Sequence, residues 1–274
     1  MMPVAIAACG RGDAEVEAST PAAEATLGAH EVVIRARDFA FDAPDTIQSG
    51  PTTFRLVNEG PELHHVQLFR LEEGHSFDDF MKHMAANGHP PAWSVEVGGP
   101  NTPNPGAESN GSLDLQPGEY ALLCVIPSAD GVPHVMKGMS KPLTVVPAAG
   151  PARAMPEADV VMMLNDYSFV ATPEISAGKR TIRVENQASQ PHEVLFAKLA
   201  PGKTAADLLS WIEKPQGPPP ADILGGTTAF KAGESNTVSI DFQPGEYALL
   251  CFIPDAKDGQ PHVAHGMVRQ ITVQ

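Results

Sequence analysis

Four side chains recur in step along this 274-residue chain. Six positions after an asparagine comes a histidine, Asn58 to His64 and Asn186 to His192. Some 60 positions on is a cysteine, Cys124 or Cys251, then a Pro-His pair ending in His134 or His262, then Met139 or Met267. Two imidazoles, a thiolate and a thioether form the donor set that favours copper in a blue electron-transfer site, with methionine as the weak axial ligand. The competing reading makes the histidines surface residues and the cysteines inert core. Neither cysteine has a disulfide partner in its own copy of the pattern, so each thiol needs another purpose. The recurrence also selects among neighbours. Glu193 stands opposite His65, Ala264 opposite Met136, and Lys137 opposite His265, so His64, Met139 and His262 are the shared donors.

These donors lie in a larger repeat. QPGEYALLC occupies 116–124 and again 243–251. DFAFDAPDTIQSGPTTFRLVN from Asp38 aligns with DYSFVATPEISAGKRTIRVEN from Asp166, and IPSADGVPHVMKGM with IPDAKDGQPHVAHGM. A period of about 120 residues is too long for a solenoid and marks two domains, each large enough for its own core. The expected division is a leader and spacer over 1–29, a first domain over 30–147, a linker over 148–157 and a second domain over 158–274.

Short segments rich in Val, Ile, Leu, Thr and Phe, separated by Gly, Pro and Asn, predict an all-β sandwich or barrel in each unit. EVVIRARDF, TTFRLVN, HHVQLFRL, GSLDL and EYALLC serve the first, and DVVMMLNDY, RTIRVEN, HEVLFAKL, TVSIDF and EYALLC the second. The period of two places Tyr120, Leu122 and Cys124 on one inner face. One helix per unit is predicted, SFDDFMKHMAANG with Ser76 as cap and Gly88 as stop, and TAADLLSWIEK capped by Thr204.

At the start, MMPVAIAACGRGD resembles the lipobox of bacterial lipoproteins, with Cys9 as the lipidated residue, although the apolar run is short and lacks a basic beginning. From Gly10 to Gly28 the composition predicts a flexible spacer. This implies a periplasmic or cell-envelope protein, attached to the membrane only through a lipid anchor. The net charge of −15 argues against nucleic acid and favours a basic protein partner.

Over nearly all of both units the sequence resembles the cupredoxin family. The resemblance is carried by F-x-x-P-x-x-I-x-x-G, the Asn-to-His spacing, and a Cys…His…Met loop most similar to that of copper nitrite reductase. It implies two tandem Greek-key cupredoxin-like domains, each an eight-stranded barrel with one type 1 copper bound by His64, Cys124, His134 and Met139 or by His192, Cys251, His262 and Met267. It also implies that His134 and His262 are partly exposed, as ports for electrons. Leu123 and Leu250 stand where the catalytic relatives place a histidine before the cysteine, and no His-x-His pair occurs, so no catalytic residues are assigned. In place of the family's Asn after the first histidine and Ser or Thr after the cysteine stand His65 or Glu193 and Val125 or Phe252. The expected function is a two-copper electron carrier with a redox protein partner, basic and cytochrome-like. Rival readings are copper storage or delivery, and a redox enzyme whose type 2 site forms between chains or from His65, His75, His83 and His89. Oligomeric state is left open.

Overall fold

The computed structural model describes Met1, residues 27–214 and residues 216–274. Cys9 and its lipobox-like surroundings lie outside the described residues. The elements in chain order are β1 (Leu27–Gly28), β2 (His30–Arg37), β3 (Ala40–Asp42), β4 (Thr46–Gln48), β5 (Gly50–Asn58), β6 (Gln67–Leu71), α1 (Phe77–Asn87), β7 (Ser94–Gly98), β8 (Glu108–Leu115), β9 (Gly118–Leu123) and β10 (Ser140–Val146). There follow β11 (Arg153–Ala154), β12 (Val160–Asn165), β13 (Ser168–Thr172), β14 (Gly178–Asn186), β15 (His192–Leu199), α2 (Ala205–Glu213), β16 (Ala221–Phe230), β17 (Ser235–Phe242), β18 (Gly245–Leu250) and β19 (Val268–Val273).

Each half is a two-layer sandwich. In the first, β4-β10-β9-β6-β7 faces β3-β2-β5-β8; in the second, β19-β18-β15-β16 faces β13-β12-β14-β17. Alternation sets the inner faces. Along β2 the buried residues are Val32, Ile34 and Ala36, with Glu31, Arg35 and Arg37 pointing away. Tyr120, Leu122 and Cys124 enter the sandwich core as the period of two predicts, but the other face of β9 is buried too. There Ala121 and Leu123 pack under Phe80 and Met84 of α1, and Ala248 and Leu250 pack under α2 in the second half. The alternating pattern is therefore hidden, because a strand covered on both faces reads as a continuous apolar run.

Both helices begin where expected. Ser76 and Asp79 form a reciprocal capping box, as do Thr204 and Asp207. Gly88 ends α1 at φ 75°, a left-handed conformation that suits glycine. The repeated QPGEY string closes the turn into each central strand. The buried Tyr120 hydroxyl donates to Gln116 O at 2.7 Å and Tyr247 to Gln243 O at 2.6 Å, satisfying the one polar atom of a large core ring.

Three features differ from expectation. In the first domain the strand starts at Gln67, not at His64, because Val66 N–H is drawn to Pro100 O and the two histidines lie on the approach. The segments 94–98, 140–146, 221–230 and 268–273 are strands that the pattern did not mark. A two-residue parallel pair, β1 with β11, ties the end of the expected spacer to the expected linker, with Arg153 donating to Gly28 O.

The sheets run on across the boundary between the halves, β16 pairing with β7 at Phe230↔Val97 and β17 with β8 at Thr237↔Ser112. A local two-fold relation governs this junction: Asn101 N–H donates to Gly226 O and Thr228 N–H to Gly99 O, each at 2.9 Å. Glycine is required at both turning points. A Cβ on Gly99 would lie 2.1 Å from Val66 O, and one on Gly226 2.0 Å from Val194 O.

Candidate metal centres

The same loop construction places the donors in both halves. β9 and β18 end at Cys124 and Cys251, and each cysteine is held on both sides by backbone. Cys124 N–H donates to Met139 O and its carbonyl accepts from Val135; Cys251 does the same with Met267 and Val263. A single 3-10 turn starts at His134 and at His262, and Gly138 and Gly266, at φ 102° and 91°, turn the chain back so that each methionine amide reaches its histidine carbonyl. The asparagine six positions before the first histidine closes that loop. Asn58 donates to Glu62 O and accepts from Gly60 N–H, and Asn186 repeats both bonds with Gln190 and Ala188.

His64, Cys124 and His134 thereby bring one donor atom each within 4.8 Å of one another, as do His192, Cys251 and His262. Cys124 Sγ lies 3.4 Å from His134 Nδ1; Cys251 Sγ lies 3.7 Å from His192 Nδ1 and 3.3 Å from His262 Nδ1. Met139 and Met267 are fully buried in the core clusters that hold these cysteines. The partial exposure expected for His134 and His262 is not found: both are fully buried. Carboxyl-bearing side chains close over the ring edges that would have met solvent.

Those carboxylates are the feature the sequence did not assign. Asp38 lies 2.6 Å from His64 Nε2, Glu62 3.0 Å from His134 Nε2, Asp166 3.1 Å from His192 Nε2 and Asp255 3.7 Å from His262 Nε2. Asp38 and Asp166 are equivalent in the repeat, a signal that was legible. Glu62 and Asp255 are not. Gln190 occupies the place of Glu62, Ser128 that of Asp255, and Gln190 Nε2 donates to Asp255. The second carboxylate has changed loops while keeping its place beside the ring.

This arrangement suits a cation. At His64, His134 and His192 a carboxylate hydrogen-bonded to Nε2 places the ring proton there and leaves the Nδ1 lone pair directed inward, whereas His262 Nε2, 3.7 Å from Asp255, has no hydrogen-bond partner. In the first centre the two Nδ1 atoms approach to 3.1 Å beside the sulfur, so electron-rich atoms face one another. A bound metal ion relieves that repulsion. Burial lowers the pKa of His64 and His192, although Asp38 and Asp166 oppose it, and burial with the neighbouring His192 takes His262 to about 4. The Cys124 thiol is pushed up to about 12 by burial, and that of Cys251 is raised as well. A cation must therefore displace the thiol proton on binding.

His65 and Glu193 do not join the donor clusters. His65 Nε2 accepts from Val125 N–H at 3.1 Å and Glu193 Oε1 from Phe252 N–H at 2.8 Å, so each ties the first-histidine segment to the cysteine segment. They do the work of the Asn and Ser or Thr missing from these positions. Burial drives His65 to about 3 and Glu193 to about 7. His75 stacks on Trp93 at 4.0 Å, and His83 meets His89 edge to face at 5.4 Å. Among the described residues they form no three-donor group.

Strand order and the donor cluster at the end of each central strand define two tandem cupredoxin-like domains with copper-type donor groups. No family model matches the chain, and no curated protein matches it. Solved structures similar to it include auracyanin from Roseiflexus castenholzii, 20% identical with a TM-score of 0.31 over 44% of this chain and 99% of that one. A blue copper oxidase from Nitrosomonas europaea is 15% identical with a TM-score of 0.26, over 89% of this chain and 85% of the other. A copper-containing nitrite reductase from Thermus scotoductus is 12% identical with a TM-score of 0.24, over 91% and 62%.

Proposed function

We propose that the protein is a two-copper electron carrier with one type 1 site in each domain, held by His64, Cys124, His134 and Met139 and by His192, Cys251, His262 and Met267. The observation that carries this reading is the pair of buried His–Cys–His clusters, three of whose four imidazoles, those of His64, His134 and His192, are hydrogen-bonded from behind by carboxylates. Copper bound there supplies exchange of one electron. The chain's part is to fix the donors on strand ends and short turns bonded through the backbone, so that little moves between oxidation states.

Full burial of both histidines in each cluster favours a carrier over storage or delivery, because metal exchange needs an open path to the donors. An anchor on Cys9, a location outside the cytoplasmic membrane and a basic redox partner belong to the same proposal; the net charge of −15 supports the last. The decisive experiment is metal content with an optical spectrum. We expect a coloured protein carrying two copper ions per chain, with Cys124→Ser and Cys251→Ser each removing one. A colourless protein that takes up no copper under oxidising conditions refutes the reading.

A further inference from the structure

We propose that the second domain binds a further metal ion at its surface, a zinc-type divalent cation held by Asp255, Asp258 and His265. The site takes no donor from the two buried clusters and does not depend on the copper reading.

The three residues lie on the loop between Cys251 and Met267, Asp255 and Asp258 before the Pro-His pair and His265 at the end of the 3-10 turn. The fold brings one donor atom from each within 4.8 Å of the others. Asp258 Oδ1 and His265 Nε2 stand 3.2 Å apart. Two donors on a tetrahedral zinc ion, each about 2.0–2.2 Å from it, are separated by about 3.3–3.6 Å, so this pair is already near the spacing of a shared ion. The acids are fixed by the chain around them. Asp255 Oδ1 accepts from Lys257 N–H at 2.8 Å and Oδ2 from Tyr167 and Gln190, while Asp258 Oδ1 accepts from Gln260 N–H at 2.9 Å. None of these donors carries a charge, and among the described residues neither carboxylate pairs with a lysine or an arginine. Asp255 is buried, whereas Asp258 and His265 reach solvent, so the cluster is open on its outer side.

Two observations point to a cation as the partner that is wanting. The first domain supplies one of its own at the equivalent place. Lys137 aligns with His265 and Asp130 with Asp258, and Lys137 Nζ lies 2.8 Å from Asp130 Oδ2 and 4.9 Å from the centre of the Phe39 ring. In the second domain Tyr167 stands where Phe39 does, 5.1 Å from the His265 ring, but there is no ammonium, and Asp255 stands in place of Ser128. Lysine has only donors, whereas an imidazole offers a lone pair to a metal. The second loop thus carries one fixed cation fewer and one carboxylate more than the first, and its nitrogen is a ligand. The other observation is His262 Nε2, which is fully buried, has no hydrogen-bond partner, and faces Asp255 Oδ2 from the inner side at 3.7 Å. An unpaired buried polar atom is costly, and it stands against the cluster on the side away from solvent. A zinc ion with three protein ligands keeps a water in its fourth position, a polar group that the protein alone does not offer there.

The donor set selects the ion. Imidazole with carboxylate suits zinc and its neighbours, whereas calcium takes about six to eight oxygens. The bound ion ties the start of the loop to its end, as the Lys137–Asp130 pair does in the first domain.

The test compares zinc uptake by the full chain with that of His265→Lys, which installs the first domain's own residue and so keeps the fold. Zinc also enters cysteine clusters, so the readout is the difference between the two proteins and the kind of donor. We expect the unaltered protein to bind one zinc ion per chain more than the variant, with X-ray absorption of that additional ion showing nitrogen and oxygen neighbours and no sulfur. Zinc should also raise the melting temperature of the unaltered protein further than that of the variant, because the ion binds only the folded loop. Asp258→Asn should weaken the additional binding, and carries the same comparison should His265→Lys fail to fold; Asp130→Asn, the matching change in the first domain, should leave the additional binding intact. Equal uptake by the unaltered protein and the variant overturns the proposal, as does an equal rise in melting temperature or an additional ion with a sulfur neighbour. Because zinc is counted and not copper, failure of the copper reading leaves this result standing.

Discussion

Replacing Asp38 with Asn keeps the shape beside His64 and removes the charge. The carboxylate lies 2.6 Å from His64 Nε2 and its side chain is 24% exposed. A hydrogen bond to a charged group contributes about 1.5–3 kcal/mol against about 0.5–1.5 kcal/mol for a neutral one, so the exchange removes roughly 1–1.5 kcal/mol of ring orientation and basicity. At about 1.4 kcal/mol per decade, that is about a tenfold loss of copper affinity at the first centre. It falls at the lower end of the roughly 10–100-fold cost of losing a partner behind a metal-bound histidine, as the side chain's partial contact with solvent would have it. Asp166→Asn should cost less, because Asp166 sits 3.1 Å from His192 Nε2 and is 39% exposed. Competition titration with a copper chelator measures both, using Cys251→Ser to isolate the first centre and Cys124→Ser the second. Unchanged affinity in Asp38→Asn, or a larger effect from Asp166→Asn, would refute the reasoning that these carboxylates prepare the imidazoles.

Three further outcomes follow from the fold and the sequence. Gly226→Ala should lower stability by more than the ~1–2 kcal/mol of a left-handed backbone, because its Cβ would meet Val194 O at 2.0 Å; Gly88→Ala, with nothing within 4 Å, should show only the backbone cost in denaturant titration. Burial raises the pKa of Glu96 above its ordinary 4.5, so the folded state holds that proton more tightly than the unfolded chain; the stability it retains below pH 4.5 is lost as pH rises through the raised value. Glu96→Gln should then raise the melting temperature of the apo-protein at neutral pH, with the gain vanishing in acid, and an equal gain at both pH values would sink this account. Expressed in its own host, Cys9→Ser should move the protein out of the membrane fraction with copper content intact; unchanged membrane association contradicts the lipobox reading.

Features decided within a few residues were legible in the sequence. The Ser76 and Thr204 caps need only the residues three positions on, and Gly88 needs only its own backbone freedom. Duplication made the donor pattern readable by separating His64 from His65 and Met139 from Met136. The tertiary structure decided what fills the space around those donors. Glu62 and Asp255 hold corresponding places beside His134 and His262 from non-corresponding loops, so aligning the repeats separates what folding superposes. Those carboxylates cover the two rings together with Phe39 beside His134 and Tyr167 beside His262. Likewise the bond from Asn101 to Glu193 has no sequence mark, because it exists only where the two domains meet. A hydrogen bond depends on the position and direction of two atoms, and for partners 92 residues apart only the folded chain supplies them.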